Sequence, residues 1–152
     1  MTRAYVGLGA NLGPREIAIQ RALTLLASEE GIEVVEQSTL RETDPVGRVE
    51  QPRFLNGVVA LDTTLSPREL LDVLLRVERE LGRVRDGERW GPRTIDLDLL
   101  LHGSNVVDEP GLRLPHPRLH ERRFALEPLA DLAPDLEIPG RGKVSEILQQ
   151  LH

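Results

Sequence analysis

The chain contains no cysteine among its 152 residues. That removes disulfide bracing and thiolate metal sites, and gives secretion no support. Aromatic residues amount to 3%, too few for a sheet face on which nucleic-acid bases stack. The histidines are His102, His116, His120 and His152, too few and too scattered for a histidine zinc site. No apolar run approaches the ~18 residues of a membrane-spanning helix, and Met1 to Val6 leads into a strand pattern with no signal peptide. A cytoplasmic location without a membrane partner is expected. The net charge of −6 argues against a general nucleic-acid surface. Also missing is any G-x-x-x-x-G-K-S/T phosphate loop, and the G-x-G-x-x-x-G spacing of Gly7, Gly9 and Gly13 is not the dinucleotide fingerprint.

What is present concentrates in one stretch, Arg89-Trp90-Gly91-Pro92-Arg93-Thr94-Ile95-Asp96-Leu97-Asp98-Leu99-Leu100-Leu101. Strand alternation puts Ile95, Leu97, Leu99 and Leu101 on one apolar face and Asp96 with Asp98 on the other. The two acids then stand about 6.7 Å apart at the usual strand rise. At that separation and an effective dielectric near 20, their repulsion is about 3 kcal/mol. A cation is expected between them. Arg93 is near in sequence, but parity points it to the opposite face if the strand already begins there. The other candidate is Mg²⁺, which takes one or two carboxylates plus substrate phosphates. Two solvated acids on an exposed face are the plain alternative; the flanking arginines and the Trp-Gly-Pro turn weigh against it. Lys143 is the sole lysine among 19 basic residues, and Arg83, Arg85, Arg89 and Arg93 cluster just before the acid pair. Guanidinium forks suit phosphate oxygens. With Gly87 and Gly91 inside it, this long polar connection is expected to act as a lid.

At 152 residues one domain covers the chain. Arg3 to Leu8 reads as a strand, the glycines of the overlapping stretch Gly7 to Gly13 as a tight strand-to-helix turn, and Pro14 as the start of a helix whose apolar face is Ile19, Ala22, Leu23 and Leu26. Ile32 to Leu40 is a β-branched strand, Thr43 to Pro52 an exposed loop, and Phe54 to Thr63 a strand with Phe54, Asn56 and Val58 on one face. Ser66-Pro67-Arg68-Glu69 is a capping box. It opens a helix with a buried stripe of Leu70, Leu71, Leu74, Leu75, Val77 and Leu81, stopped at Gly82. The order is β-α-β-β-α-β: an α+β, ferredoxin-like core with an antiparallel sheet and both helices on one face. A C-terminal extension adds short strands at Val106–Val107 and Leu112–Leu114, and helices over 124–132 and 144–151.

These motifs resemble a known family. The stretch Arg89 to Asp98 resembles the signature of 6-hydroxymethyl-7,8-dihydropterin pyrophosphokinase, an enzyme of folate biosynthesis. Gly7 to Gly13, Gln51-Pro52-Arg53-Phe54-Leu55-Asn56, and Leu114-Pro115-His116-Pro117-Arg118 with Arg122 and Phe124 resemble its other segments in the right order. The resemblance implies transfer of a diphosphoryl group from ATP to the pterin hydroxymethyl oxygen, with release of AMP. It implies two Mg²⁺ ions on Asp96 and Asp98. It puts the pterin between Phe54 and Phe124, with Asn56 on its polar edge and Thr43, Pro45 and Val46 completing the pocket. Arg83, Arg93, His116, Arg122, Trp90 and Ile95 would meet ATP, with Arg83, Arg85 and Arg93 joining the catalytic set. The partners implied are ATP and a reduced pterin acting on a monomer, with no nucleic acid. Phe54 stands where a tyrosine is frequent, Asp86 where some relatives carry lysine, and Gly111 where some carry arginine.

Two other classes share the β-α-β-β-α-β frame. A ligand-sensing regulatory domain would not need paired acids beside an arginine loop. An RNA-binding module would need exposed aromatics and a basic face, which this composition lacks.

Overall fold

The computed structural model describes residues 1–10, 14–43, 54–82 and 95–151. The expected lid, Arg83 to Arg93, and the Pro45–Val46 segment lie outside the described residues. The elements follow as β1 (Thr2–Ala10), α1 (Arg15–Ala27), β2 (Ile32–Gln37), β3 (Arg41–Thr43), β4 (Phe54–Thr63), α2 (Pro67–Gly82) and β5 (Asp96–His102). After them come β6 (Val107–Glu109), β7 (Leu112–Leu114), a 3₁₀ turn at Leu119–Glu121, α3 (Arg123–Leu132), β8 (Glu137–Ile138), β9 (Gly142–Lys143) and α4 (Val144–Gln150). The main sheet runs β2-β4-β1-β5 with β3 also on β4, and its pairings are antiparallel. This is the expected β-α-β-β-α-β order closed into one sheet.

Each face of the sheet has its own core. Ala4, Val6, Leu8, Val59, Leu61, Leu97 and Leu99 pack against Ile19 and Leu26 of α1 and Leu70, Leu74 and Val77 of α2. Tyr5, Val58, Ala60, Leu100 and Leu101 pack on the other face against Leu126 and Leu129 of α3 and Val144 of α4. The C-terminal extension is therefore a second covering layer on part of the sheet, and what it leaves bare becomes the floor of a cleft.

Local chemistry accounts for the element ends. The capping box forms as read: Ser66 N–H donates to Glu69 Oε1 at 2.9 Å, and Glu69 N–H to Ser66 Oγ at 3.1 Å. Gly31, after α1, takes φ +88°, and Thr64 N–H donates to its carbonyl at 3.0 Å. The expected strand over 32–40 is interrupted. Ser38 N–H donates to the Val58 carbonyl at 2.9 Å, but the return bond from the Val58 N–H goes to Ser38 Oγ at 2.9 Å, so a side chain occupies one ladder position and regular pairing resumes at β3. On α2 the buried residues are Leu70, Val73, Leu74 and Val77, whereas Leu75 is 40% exposed. The stripe thus runs one residue to the side of the expected one, because the helix faces β5 as well as α1.

Strand β5 departs from simple alternation. Leu99 pairs with Val6 and Leu101 with Tyr5, which leaves Leu100 without a partner on β1. This β-bulge turns the strand. Leu101 therefore joins the second core, not the face of Ile95, Leu97 and Leu99. His102 crosses to the α1–α2 side, where it is buried, with Nε2 2.9 Å from the Leu65 carbonyl and Nδ1 2.8 Å from Asn105 Nδ2.

Candidate active site

A cleft of about 770 Å³ opens on the α3 face of the sheet. Three strands make its floor. Asn56 of β4, Gly9 of β1 and Asp96 of β5 stand in one cross-strand row, and Val58, Gly7 and Asp98 in the next. With strands about 4.8 Å apart, Asn56 and Asp96 lie about 10 Å from each other across Gly9. A carboxamide and a carboxylate pair thus share one floor, separated by a strip of bare backbone.

Gly7 and Gly9 are part of strand β1, which extends to Ala10, and not of the expected tight turn. Neither has positive φ, so their role here is lack of bulk. A Cβ on Gly9 would sit 3.2 Å from Asn56 Oδ1, tighter than a relaxed contact. The sequence signal was glycine at i and i+2 inside a strand pattern, which clears one face of side chains.

At one end of the cleft, Phe54, Asn56 and Thr43 gather opposite Phe124 of α3. Asn56 is buried, and its Nδ2 donates to Thr43 Oγ1. That bond fixes the carboxamide plane and leaves Oδ1 above Gly9. A second link holds the two walls together. Arg41 of β3 donates from Nη2 to Asp131 Oδ1 of α3 at 3.0 Å, and Thr39 Oγ1 donates to Asp131 Oδ2 at 2.9 Å. These bonds hold the Asp131 carboxyl below the usual carboxylate range, Arg41 being the chief cause.

At the other end, Asp96 is half-buried and Asp98 exposed, and both line the cleft. His116, Arg118 and Arg122 face them from the C-terminal segment. The Arg118 N–H donates to His116 Nδ1 at 3.2 Å, so the neutral ring carries its proton on Nε2. Burial pushes the His116 pKa below its ordinary value; nearby Asp98 opposes this, and Arg122 and Arg118 reinforce it. The Arg122 guanidinium lies 5.5 Å from the centroid of Phe124, within cation–π range. One side chain thereby borders both the aromatic end and the acid end.

Among the described residues no group of three or more His, Cys, Asp or Glu could cage a metal. Two carboxylates on one strand face fit Mg²⁺ of the kind that takes the rest of its ligands from water and phosphates. Of the residues read from sequence, Thr43, Phe54, Asn56, Asp96, Asp98, His116, Arg122 and Phe124 line this one cleft. Ile95 does not: its side chain is 2% exposed and belongs to the α1–α2 core, as the parity opposite to Asp96 requires. Arg83, Arg85, Trp90, Arg93, Pro45 and Val46 lie outside the described residues. Arg118, named in the sequence only as part of its segment, and Glu121 and Glu127 line the cleft without a role assigned from sequence; an isolated surface glutamate carries no distinguishing pattern.

The family model for 7,8-dihydro-6-hydroxymethylpterin-pyrophosphokinase (HPPK) matches residues 5–134. Over 146 residues the chain is 50% identical to the 2-amino-4-hydroxy-6-hydroxymethyldihydropteridine pyrophosphokinase of Pseudomonas aeruginosa, covering 96% of this chain and 90% of that protein. The protein of the same name from Bacillus subtilis is 45% identical over 134 residues, 88% of this chain and 80% of that one. A solved Plasmodium falciparum HPPK-DHPS structure superposes with a TM-score of 0.76 at 14% identity, covering 98% of this chain and 45% of that chain. This chain spans under half of that protein, and the likeness bears on the fold alone. A family match over most of the chain, joined to identity at this level across nearly whole relatives, means that the chain belongs to the 7,8-dihydro-6-hydroxymethylpterin-pyrophosphokinase family.

Proposed function

We infer that the cleft carries diphosphoryl transfer from ATP to 6-hydroxymethyl-7,8-dihydropterin, with Asp96 and Asp98 at the phosphate end and Phe54, Asn56 and Phe124 at the pterin end. As a family member the chain is a diphosphotransferase of folate biosynthesis. The observation that carries the site reading is the shared floor: the carboxamide of Asn56 shares a cross-strand row with Asp96, about 10 Å away at ordinary strand spacing, and Asp98 stands in the next row of the same face. That span suits a flat heterocycle at one end and a polyphosphate at the other.

The reaction forms a bond between the hydroxymethyl oxygen and the β-phosphorus of ATP. The bond from that phosphorus to the oxygen bridging it to the α-phosphorus breaks, and AMP leaves with the bridging oxygen. The hydroxyl proton passes to solvent. Such transfers rely on alignment and charge neutralisation more than on covalent chemistry. Two Mg²⁺ ions held by Asp96 and Asp98 would neutralise phosphate charge and align the two reacting oxygens. Asn56, fixed by Thr43, orients the polar edge of the pterin, and the two phenylalanines hold its faces. His116 offers Nε2–H, and Arg122 its guanidinium, to phosphate oxygens. Arg83, Arg85, Arg93 and Trp90 complete the ATP side in this reading, and Pro45 and Val46 the pterin side. A single domain over residues 1–152 acts as a cytoplasmic monomer on these small molecules. Among the described residues no helix is long and apolar enough to cross a membrane.

The deciding experiment is incubation with ATP, Mg²⁺ and the reduced pterin, followed by identification of the nucleotide released. AMP supports the reading; ADP, or no pterin-dependent turnover, overturns it.

A further inference from the structure

Glu78 was not among the residues singled out by the sequence, yet it touches the centre of the acid pair. It lies on α2 one turn after Leu74, on the side of the helix that meets β5. Its Oε2 accepts the backbone N–H of Leu97 at 2.7 Å in a part-buried setting. Leu97 is the residue between Asp96 and Asp98. Strand β5 is the last in the order β2-β4-β1-β5, so an N–H on its outer edge has no neighbouring strand among the described residues. At Leu97 a carboxylate takes the place a strand would have filled. Hydrogen bonds with one ionised partner are about twice as strong as neutral ones, so this one holds the strand edge more firmly than a single neutral bond would.

We propose that Glu78 is a positioning residue for the Asp96–Asp98 pair. This rests on the reading of those two acids as the metal site. The Leu97 N–H belongs to the peptide plane joining Asp96 to Leu97. Holding that N–H holds the strand edge at the residue between the two acids, and with it the short segment from which both carboxylates project. On its inner edge the strand is held by pairing to Gly7, Leu8 and Gly9. Those glycines bring no side chain to buttress the acids. Glu78 holds the outer edge from the far face of the sheet without entering the cleft.

The test uses two readouts that do not require turnover. One is amide exchange at Leu97 in the free protein, measured by NMR. The other is Mn²⁺ affinity, measured by its paramagnetic resonance in the presence of a non-hydrolysable ATP analogue. Wild type, Glu78→Gln, Glu78→Ala and Asp98→Ala are compared. Groups that orient metal ligands typically change affinity about 10–100-fold when removed. Glu78→Ala is expected to speed Leu97 exchange and weaken Mn²⁺ binding by about 10-fold or more. Glu78→Gln keeps an acceptor oxygen in place and should stay within about 3-fold of wild type, on the scale where one hydrogen bond is retained. Faster exchange with unchanged Mn²⁺ affinity in Glu78→Ala reduces Glu78 to an edge cap and overturns the proposal. Should Glu78→Ala not fold, Glu78→Gln decides: a tenfold loss of Mn²⁺ affinity with Leu97 still protected overturns it, and near-wild-type affinity with Leu97 protected supports it. Asp98→Ala separates the two levels. If it retains Mn²⁺, the metal-site reading itself fails; if it loses Mn²⁺ while Glu78→Ala does not, only the positioning role fails.

Discussion

Gly9 and Asn56 face each other across the β1–β4 pairing, and a Cβ on Gly9 would come within 3.2 Å of Asn56 Oδ1. The carboxamide already donates to Thr43 Oγ1, so it cannot swing aside without breaking that bond. Gly9→Ala is expected to weaken pterin binding about 10-fold, or ~1.4 kcal/mol. Calorimetric titration of the pterin checks this. Unchanged affinity would mean that Asn56 relaxes freely and that the bare strip has no role in binding.

The acid pair should dominate turnover. Asp96→Ala and Asp98→Ala are each expected to lower the rate by at least about 10³, or roughly 4 kcal/mol of transition-state stabilisation. Both residues lie outside the two cores, so thermal unfolding should shift little. Near-normal turnover at saturating Mg²⁺ in either variant would remove the two-metal assignment.

Phe124→Ala should cost about 1–3 kcal/mol in pterin binding, the scale of one lost stacking partner. It also removes the ring that Arg122 borders at 5.5 Å. ATP affinity should fall much less. Equal losses for both ligands would indicate a damaged wall and not a lost stacking face.

His116 is expected to titrate below its ordinary value of 6.5, with its neutral form protonated on Nε2. Because the folded pKa is lowered, the folded state favours the neutral ring. Its contribution to stability is full above the unfolded pKa and falls as pH drops below about 6.5 toward the lowered folded value. Nitrogen-15 chemical shifts of the ring followed against pH provide the check. A midpoint above 6.5 would contradict the assignment.

The Arg41–Asp131 link carries the opposite group but the same sign of pH dependence. Asp131 has its pKa lowered from 3.8, chiefly by Arg41. Its share of stability is complete above about the unfolded value and disappears as pH falls through the folded one. Comparing wild type with Asp131→Asn in urea, the gap in unfolding free energy should be constant above about pH 5 and should close below pH 4. The pair is partly exposed, so the gap should be modest and should shrink further in salt. A gap that persists unchanged in strong acid would place the effect in packing and not in charge.

Much of this was readable because it is local. The capping box at Ser66 to Glu69, the span of Phe54 to Thr63 and the parity of Asp96 and Asp98 depend on neighbours in sequence. What escaped depends on partners distant in the chain. Leu101 changes face because Leu100 lacks a mate on β1, and Val73 is buried in place of Leu75 because of where β5 lies. Gly7 and Gly9 read as a turn because glycine disfavours strands, yet their bareness is what opens the cleft. Glu78 carries no pattern of its own in the sequence, because its partner, the Leu97 N–H, is brought beside it only by the packing of α2 on β5.

Leu100, without a mate on β1 but with its carbonyl accepting the His116 N–H at 3.0 Å, has a consequence for how the length of this strand can vary between related chains. Removing one residue from the Leu99–Leu101 run would let the remaining two pair with Val6 and Tyr5 directly, keeping Asp98 opposite Gly7 and His102 opposite Ala4. Removing Leu97 instead, with the distal pairings kept, would set Asp96 opposite Leu8 and turn its carboxylate into the apolar interior. Single-residue deletions should therefore leave the acid pair in register on one side of Asp98 and be lethal to activity on the other.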